Sequence, residues 1–376
     1  MNGLKSLYFE ILNIYRYLFE CKKNNTIIFY SENRIYYRYY KNIIEILTQK
    51  YKFKIIYITS DINDIIFEQK SEFIHCFYIK FFLPIVFLLI KTKIVIMTMT
   101  ELDHHHIKRS INKVNHVYLF HAINSMHMQY KENAFDYYDT IFCVGDHHMQ
   151  EIRKTEVTYN KNKKNLIKIG YSWIDDLNEL YTKKSSNDDN YAILIAPSWH
   201  PGNILDTCID SIIKNLDSSY TVTIRPHPEY VKRFKKLYYE IQERYKGNAK
   251  VKFEVDSLSL ESTLNSTLLI TDWSGIALEF ILGMEKPVIY INTPKKIANP
   301  NYENLNILPL EDKIRNASRS VIDPGGYYDI NNVVAKAKEY KFTKSEINNY
   351  RNDYIYNWKN SSEKAVEYII KYYGEE

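Results

Sequence analysis

A stretch of nine residues without one apolar side chain, 182–190, reads Thr-Lys-Lys-Ser-Ser-Asn-Asp-Asp-Asn and divides the chain into two halves of the same kind. Before it, short runs rich in β-branched and aromatic residues recur at 26–30, 54–59, 93–99, 116–120 and 140–144. After it they recur at 191–196, 221–224, 251–255, 268–271 and 287–291. The intervals between runs are long enough for helices, and strands alternating with helices predict βαβ units and parallel sheets. At 376 residues the chain also exceeds the size at which one hydrophobic core stops growing, so two domains are expected.

The expected fold class is therefore α/β and GT-B-like: two facing Rossmann-like domains with a central cleft. The boundaries read as 1–181, a linker at 182–190, and 191–376 with terminal helices. Leu4, Leu7, Tyr8, Ile11, Tyr15 and Leu18 share one face at helical spacing, which predicts a first helix packed on the core, with a membrane-surface helix as the alternative. Near the other end Thr343 and Glu346 have capping-box spacing, and Ser361 is a second helix-start signal.

Charge excludes one class of partner. Fifty basic against 45 acidic residues leave a net +5 spread along the chain, with no basic block and interleaved aromatics, so nucleic acid is not expected. Cys21, Cys76, Cys143 and Cys208 lie far apart with no Cys-x-x-Cys, which argues against a disulfide framework or zinc site and fits a reducing cytoplasm. Glu10, Arg16 and Glu20 interrupt the apolar N-terminal stretch, so it does not read as a signal peptide. The most apolar run, 81–90, contains Pro84 and is too short to span a bilayer. There is no G-x-G-x-x-G and no P-loop, so any nucleotide must be held by another device.

Four strand ends carry functional side chains. The run 268–280 ends a buried strand at Thr271 and passes through Asp272, Ser274 and Gly275 into a helix that includes Glu279. Such a turn presents backbone N–H groups to a phosphate, whereas Asp272 alone could be a plain N-cap. The run 221–228 ends in Arg225-Pro226-His227-Pro228, where two prolines fix an imidazole beside a guanidinium, a pairing suited to anionic oxygens. In the first half, 116–122 presents His121, which could take a proton from a hydroxyl or merely cap its strand. The run 192–200 presents Ser198 and His200. The clusters 103–106 and 146–148 contain adjacent histidines, but these point apart and lack ligand spacing, so no metal site is expected.

Taken in order, these segments resemble the CDP-glycerol glycerophosphotransferase family of teichoic-acid and capsule synthesis. The family's strand-end His-Gly is similar to His121-Ala122, and its Gly-x-Pro-Arg-x-Asp to the segment from Gly170 to Asp175. Its Ala-Pro-Thr-Trp-Arg resembles Ala196-Pro197-Ser198-Trp199-His200, its His-Pro loop Arg225 to Pro228, and its Asp-Tyr-Ser-Ser turn Asp272-Trp273-Ser274-Gly275. Here Gly275 replaces a serine that in the family helps hold the donor pyrophosphate, and His200, Ser172 and Trp173 replace Arg, Pro and Arg.

The resemblance implies an acceptor-side first domain and a donor-binding second one. A hydroxyl of a lipid-linked or membrane-anchored glycan would attack the β-phosphorus of a CDP-linked polyol, CDP-glycerol or a relative, and release CMP. It implies His121 and His227 as catalytic residues, with His121 the base. Arg225, Ser198, His200, Thr271, Asp272, Ser274, Gly275 and Glu279 would bind the donor, with no cofactor or metal. It also implies a cytoplasmic protein peripheral to the inner face of the membrane. Two other readings keep the fold: a glycosyltransferase of capsule or lipopolysaccharide assembly using a nucleotide sugar, and a non-catalytic donor-binding assembly subunit.

Overall fold

The computed structural model describes residues 3–20, 26–184, 192–256, 258–323, 326–339 and 341–374. The chain divides into two compact units. The first comprises Met1–Asp175, Asn301–Leu305 and Asn352–Glu376, and the second Asp176–Pro300 and Asn306–Arg351.

The first unit is built on seven strands: β1 (Ile27–Ser31), β2 (Ile55–Thr59), β3 (Ile74–Tyr78), β4 (Ile94–Met97), β5 (Asn115–Leu119), β6 (Thr140–Cys143) and β7 (Asn165–Lys168). Their order in the sheet is β3-β2-β1-β4-β5-β6-β7, and every pairing is parallel. The second unit holds β8 (Ala192–Ile195), β9 (Thr221–Ile224), β10 (Val251–Phe253), β11 (Leu268–Thr271), β12 (Val288–Ile291) and β13 (Val321–Ile322), in the order β10-β9-β8-β11-β12-β13, again all parallel. Both are doubly wound Rossmann-like sheets. A parallel strand covered on both faces must be apolar throughout, and β1, β2, β4, β11 and β12 are buried at every position. In each sheet the winding direction reverses once, between β1 and β4 and between β8 and β11. Ligands of such sheets bind beyond the carboxyl ends of the strands at that reversal.

The division expected at 182–190 is not where the units part. Most of that segment, 185–190, lies outside the described residues, and Thr182 and Lys183 continue the helix Ser172–Lys183. The end of the chain belongs to the first unit rather than to the second. The helix Ser361–Gly374 places Ala365, Val366 and Ile369 in the same core as Ile27, Phe29, Tyr57 and Ile96. The segment leading to it passes so close to Gly145 and Gly170 that a Cβ at either would collide with the carbonyl oxygen of Tyr354 or Tyr356. Gly170 also has φ +104°, where side chains are strained.

The first helix, Gly3–Glu20, corrects another expectation. Its apolar face does not enter the core: Leu4 is 82% exposed and Leu18 61%, with Tyr8, Ile11 and Tyr15 also exposed. The buried residues are Glu10 and Asn13. One Glu10 carboxylate oxygen accepts the backbone N–H groups of Lys80 and Phe82, both at 2.8 Å, and the Asn13 side-chain oxygen accepts that of Tyr78. The helix is thus fastened beside β3 by polar groups satisfying backbone donors, and periodicity alone could not tell which face turns inward. Three short strands, β3, β7 and β13, also escaped the sequence reading. At the far end the capping box forms as expected, with Thr343 N–H donating to Glu346 at 2.7 Å and Glu346 N–H to the Thr343 hydroxyl at 3.2 Å.

Candidate active site

In the second unit the loops after β8, β9, β11 and β12 surround the reversal of the sheet, and Asp272 organises them. It is 1% exposed, and its carboxylate accepts three backbone N–H groups: Ser198 at 2.8 Å, Trp273 at 2.6 Å and Ile204 at 3.2 Å. The Thr271 hydroxyl donates to the Ala196 carbonyl at 2.6 Å. One carboxylate and one hydroxyl therefore lash the end of β11 to the loop leaving β8. Arg315, buried on the helix Leu310–Ala317, donates to the Asp272 carbonyl at 3.1 Å and to the Ile291 carbonyl at 2.8 Å, and lies 4.4 Å over the Trp273 ring. Asp272 and Thr271 thus act inward, as positioning residues, while Ser274 and Gly275 on the same turn remain partly exposed.

His227 caps the helix Pro228–Arg233 with its own ring: Nδ1 accepts the Glu229 backbone N–H at 3.1 Å. An imidazole nitrogen that accepts from a backbone donor carries no proton, so the neutral ring holds its proton on Nε2. His227 is therefore a donor, suited to an anionic oxygen. Beside it the Arg225 guanidinium is braced by the Thr263 hydroxyl at 2.6 Å and by Glu254 at 3.9 Å. Ser198 and His200 are buried and hydrogen-bonded to each other through Ser198 Oγ and His200 Nδ1. Burial holds the His200 imidazole below its usual pKa, although Asp272 pulls the other way. His200 thus does not supply the charge of the arginine it replaces. Lys296 does stand nearby, 5.4 Å over the Trp199 ring, which carries Arg233 at 4.8 Å. Glu279 opens the turn of helix Glu279–Gly283 behind Ser274 and Gly275.

Trp199 entered the sequence reading only as part of a motif, and Lys296 and Arg315 did not enter it. Lys296 follows the strand that ends at Ile291, so the strand-end argument applied to β12 would have found it. Arg315 carries no such signal, because a buried arginine on a helix looks like any surface one.

In the first unit His121 follows β5 directly, one strand from the reversal. Its Nδ1 lies 3.3 Å from the Tyr118 hydroxyl, and its carbonyl accepts the Tyr171 hydroxyl at 3.0 Å. Burial raises the Tyr118 phenol well above its ordinary pKa, so it stays neutral. Rings of Tyr36, Tyr39 and Tyr130 stand 5.4, 6.1 and 6.1 Å from the imidazole. Four of the adjacent histidines of the sequence have structural partners, His105 among them with Glu101 at 2.9 Å. His147 and His148 reach the carbonyls of Ile123 and Asn124 at 2.9 and 2.8 Å, and His104 that of Asn133. Among the described residues, no three His, Cys, Asp or Glu side chains are grouped so as to hold a metal ion.

Residues 12–296 match the model of the CDP-glycerol:poly(glycerophosphate) glycerophosphotransferase family, a span that includes every candidate site residue read from the sequence. The chain belongs to this family. Among curated proteins no sequence matches it significantly. Solved structures resemble it in fold. A variant of the wall teichoic acid polymerase TagF soaked with CDPG has TM-score 0.58 at 14% identity, over 99% of this chain and 96% of that one. The Staphylococcus aureus MnaA structure with UDP has TM-score 0.57 at 13% identity, over 94% and 97%. The Methanocaldococcus jannaschii UDP-GlcNAc 2-epimerase with UDP-GlcNAc and UDP has TM-score 0.54 at 15% identity, over 92% and 99%. At these identities the likeness establishes a GT-B-like pair of parallel-sheet domains. Family membership makes the chain a glycerophosphotransferase-like enzyme with a CDP-glycerol donor.

Proposed function

We propose that this enzyme transfers glycerol phosphate from CDP-glycerol to a hydroxyl of a membrane-associated glycan in teichoic-acid or capsule synthesis, releasing CMP. The acceptor oxygen attacks the β-phosphorus in line, the new P–O bond forms as the anhydride bond to the α-phosphate breaks, and CMP leaves with the bridging oxygen. His121 Nε2 takes the acceptor's proton. This requires the Nδ1–H tautomer, in which the Tyr118 oxygen accepts from the ring. His227 Nε2–H, Arg225 and the turn at Ser274 and Gly275 hold the donor diphosphate and the charge that grows on departing CMP. The observation that carries the donor site is the opposite wiring of His227, whose Nδ1 is committed to a backbone N–H at the end of β9.

The first helix supports a place of action at the membrane surface. No helix among the described residues is long and apolar enough to cross a membrane. The outward face of Gly3–Glu20 is apolar, and Phe81, Ile85 and Leu89 are also exposed on the segment to which Glu10 ties the helix through the N–H groups of Lys80 and Phe82. Such a surface suits shallow insertion into the cytoplasmic leaflet beside an anchored acceptor.

Two measurements test this reading. Titration of CDP-glycerol, followed by CMP release with a glycan acceptor, should show His121→Ala binding the donor normally while turnover falls by about 10² to 10⁴. His227→Ala should lose both. Donor binding lost only in the His121 variant would reverse the roles, and full activity in both would end the catalytic reading. Flotation with anionic vesicles should be abolished by combining Leu4→Ser, Ile11→Ser and Leu18→Ser. Unchanged flotation would remove the membrane surface.

A further inference from the structure

We propose that Glu254 is a positioning residue of the donor site: seated by two serine hydroxyls, its carboxylate sets the direction in which Arg225 presents its guanidinium. The inference rests on the reading of Arg225 as a diphosphate contact and names the group that aims it.

Glu254 is the first residue beyond β10 and Arg225 the first beyond β9, and Phe253 pairs with Ile224, so the two side chains start from adjacent strand ends. The Glu254 backbone N–H prolongs the ladder by donating to the Ile224 carbonyl at 3.0 Å. Neither side chain stands in open solvent: Glu254 is 13% exposed and Arg225 15%. One carboxylate oxygen of Glu254 accepts the Ser259 hydroxyl, and the other accepts that of Ser262 and faces Arg225 Nε at 3.9 Å. Ser262 lies on the helix Glu261–Asn265, where the next residue, Thr263, accepts from Arg225 Nη1 at 2.6 Å. The guanidinium is therefore bounded on two edges by groups fastened to the same helical turn.

By charge alone a carboxylate is a poor neighbour for an arginine that must hold an anion, because it lowers the positive potential that a diphosphate would meet. Its contribution is direction. A mobile arginine surrenders rotamer freedom when it binds, whereas a planar fork held in place beforehand has already surrendered it. From beyond hydrogen-bond distance the carboxylate draws the Nε edge of the guanidinium toward itself, and so turns the fork about the contact at Thr263. The two serine hydroxyls hold the carboxylate in turn, and Ser259 fixes its own loop by accepting the Glu261 backbone N–H at 3.2 Å.

The test uses the full chain and Glu254→Gln. Glutamine keeps the length, and it can still meet both serines because a hydroxyl accepts as readily as it donates; what it removes is the charge beside Arg225. In arginine-labelled protein without donor, the Arg225 Nε–H signal, identified by its absence in Arg225→Lys, should be slow to exchange with water. In Glu254→Gln it should exchange about tenfold faster at an unchanged unfolding midpoint. Affinity for CDP-glycerol should fall about tenfold in Glu254→Gln and at least as far in Arg225→Lys, and the double variant should bind within about twofold of Arg225→Lys alone. A carboxylate that acts only through its charge predicts the opposite sign, tighter binding in Glu254→Gln. One that only supports its loop predicts the same further loss in the Arg225→Lys background. Unchanged or tighter donor binding, an unaltered Arg225 signal, or additive losses each overturn the proposal. If Arg225→Lys binds CDP-glycerol as wild type does, the donor reading of Arg225 fails, and the Nε–H signal separately decides whether Glu254 aims the guanidinium.

Discussion

Replacing Asp272 by Asn separates a ligand contact from a structural clamp, because the two roles leave different traces. In the native arrangement one carboxylate oxygen accepts the N–H groups of Ser198 and Trp273 and the other that of Ile204. Asparagine can keep its oxygen toward the first pair, but its amide nitrogen then faces the Ile204 N–H, donor against donor. One hydrogen bond to a charged group is lost, at about 1.5–3 kcal/mol, and the two retained fall to neutral strength, at a further ~0.5–1 kcal/mol each. Local opening of the loops after β8 and β11 should become easier by about 2.5–5 kcal/mol, and amide exchange at Ser198, Ile204 and Trp273 faster by roughly 10² to 10⁴. Hydrogen-exchange mass spectrometry of peptides spanning 193–206 and 268–280 reads this directly, with donor affinity measured in parallel. Affinity should fall too, because the Ser274 turn moves with its clamp. Unchanged exchange with lost donor binding would refute the reasoning and make Asp272 a direct contact.

Three further outcomes are expected. Ser274→Ala should weaken CDP-glycerol binding by about 1–2 kcal/mol without moving the unfolding midpoint; unaltered affinity removes the hydroxyl from the donor site. Tyr118→Phe should slow CMP release about tenfold at unchanged donor affinity, because the ring of His121 loses the partner at Nδ1 that selects its tautomer; an unaltered rate means the tautomer is set elsewhere. His148 is held neutral by burial, its pKa well below the ordinary histidine value. The unfolded chain therefore binds a proton that the native one does not. Its contribution is complete above about pH 6.5 and is lost as pH falls below it, by up to ~1.4 kcal/mol per unit. In urea titrations from pH 7 to 5 that slope should shrink in His148→Gln, and identical slopes would assign it to other groups.

The alternation of short apolar runs with helix-length intervals was enough to read two parallel sheets, because strands covered on both faces leave no polar position to obscure them. The strand-end argument likewise singled out His121, Arg225, His227 and the 271–275 turn, which do stand at or just beyond the ends of strands. What failed depended on orientation. Periodicity shows that a helix has two faces, and the backbone donors of Tyr78, Lys80 and Phe82, together with ring contacts of Phe9 and Tyr17 to Tyr78 and Phe77, decide that Glu10 and Asn13 turn inward. In the same way Asp272 in sequence is an acid at a phosphate-binding turn; that it faces the N–H groups of another loop is set by a strand 74 positions away along the chain. β7 and β13 were invisible because strands of four and two residues at sheet edges need little apolar surface.

The return of the helix Ser361–Gly374 to the first sheet sets an order on synthesis. A ribosome will have released all of 176–300 and 306–351 before it releases the residues that complete the core beneath β1 and β4. The second unit can therefore close while the first still shows the apolar strip that Ala365, Val366 and Ile369 will cover. N-terminal domains usually fold first during translation; here the nascent chain must keep its first unit waiting, exposed to chaperones and proteases, until the helix Ser361–Gly374 arrives. A truncation that ends before residue 361 would thus damage the half of the molecule farthest from it in sequence.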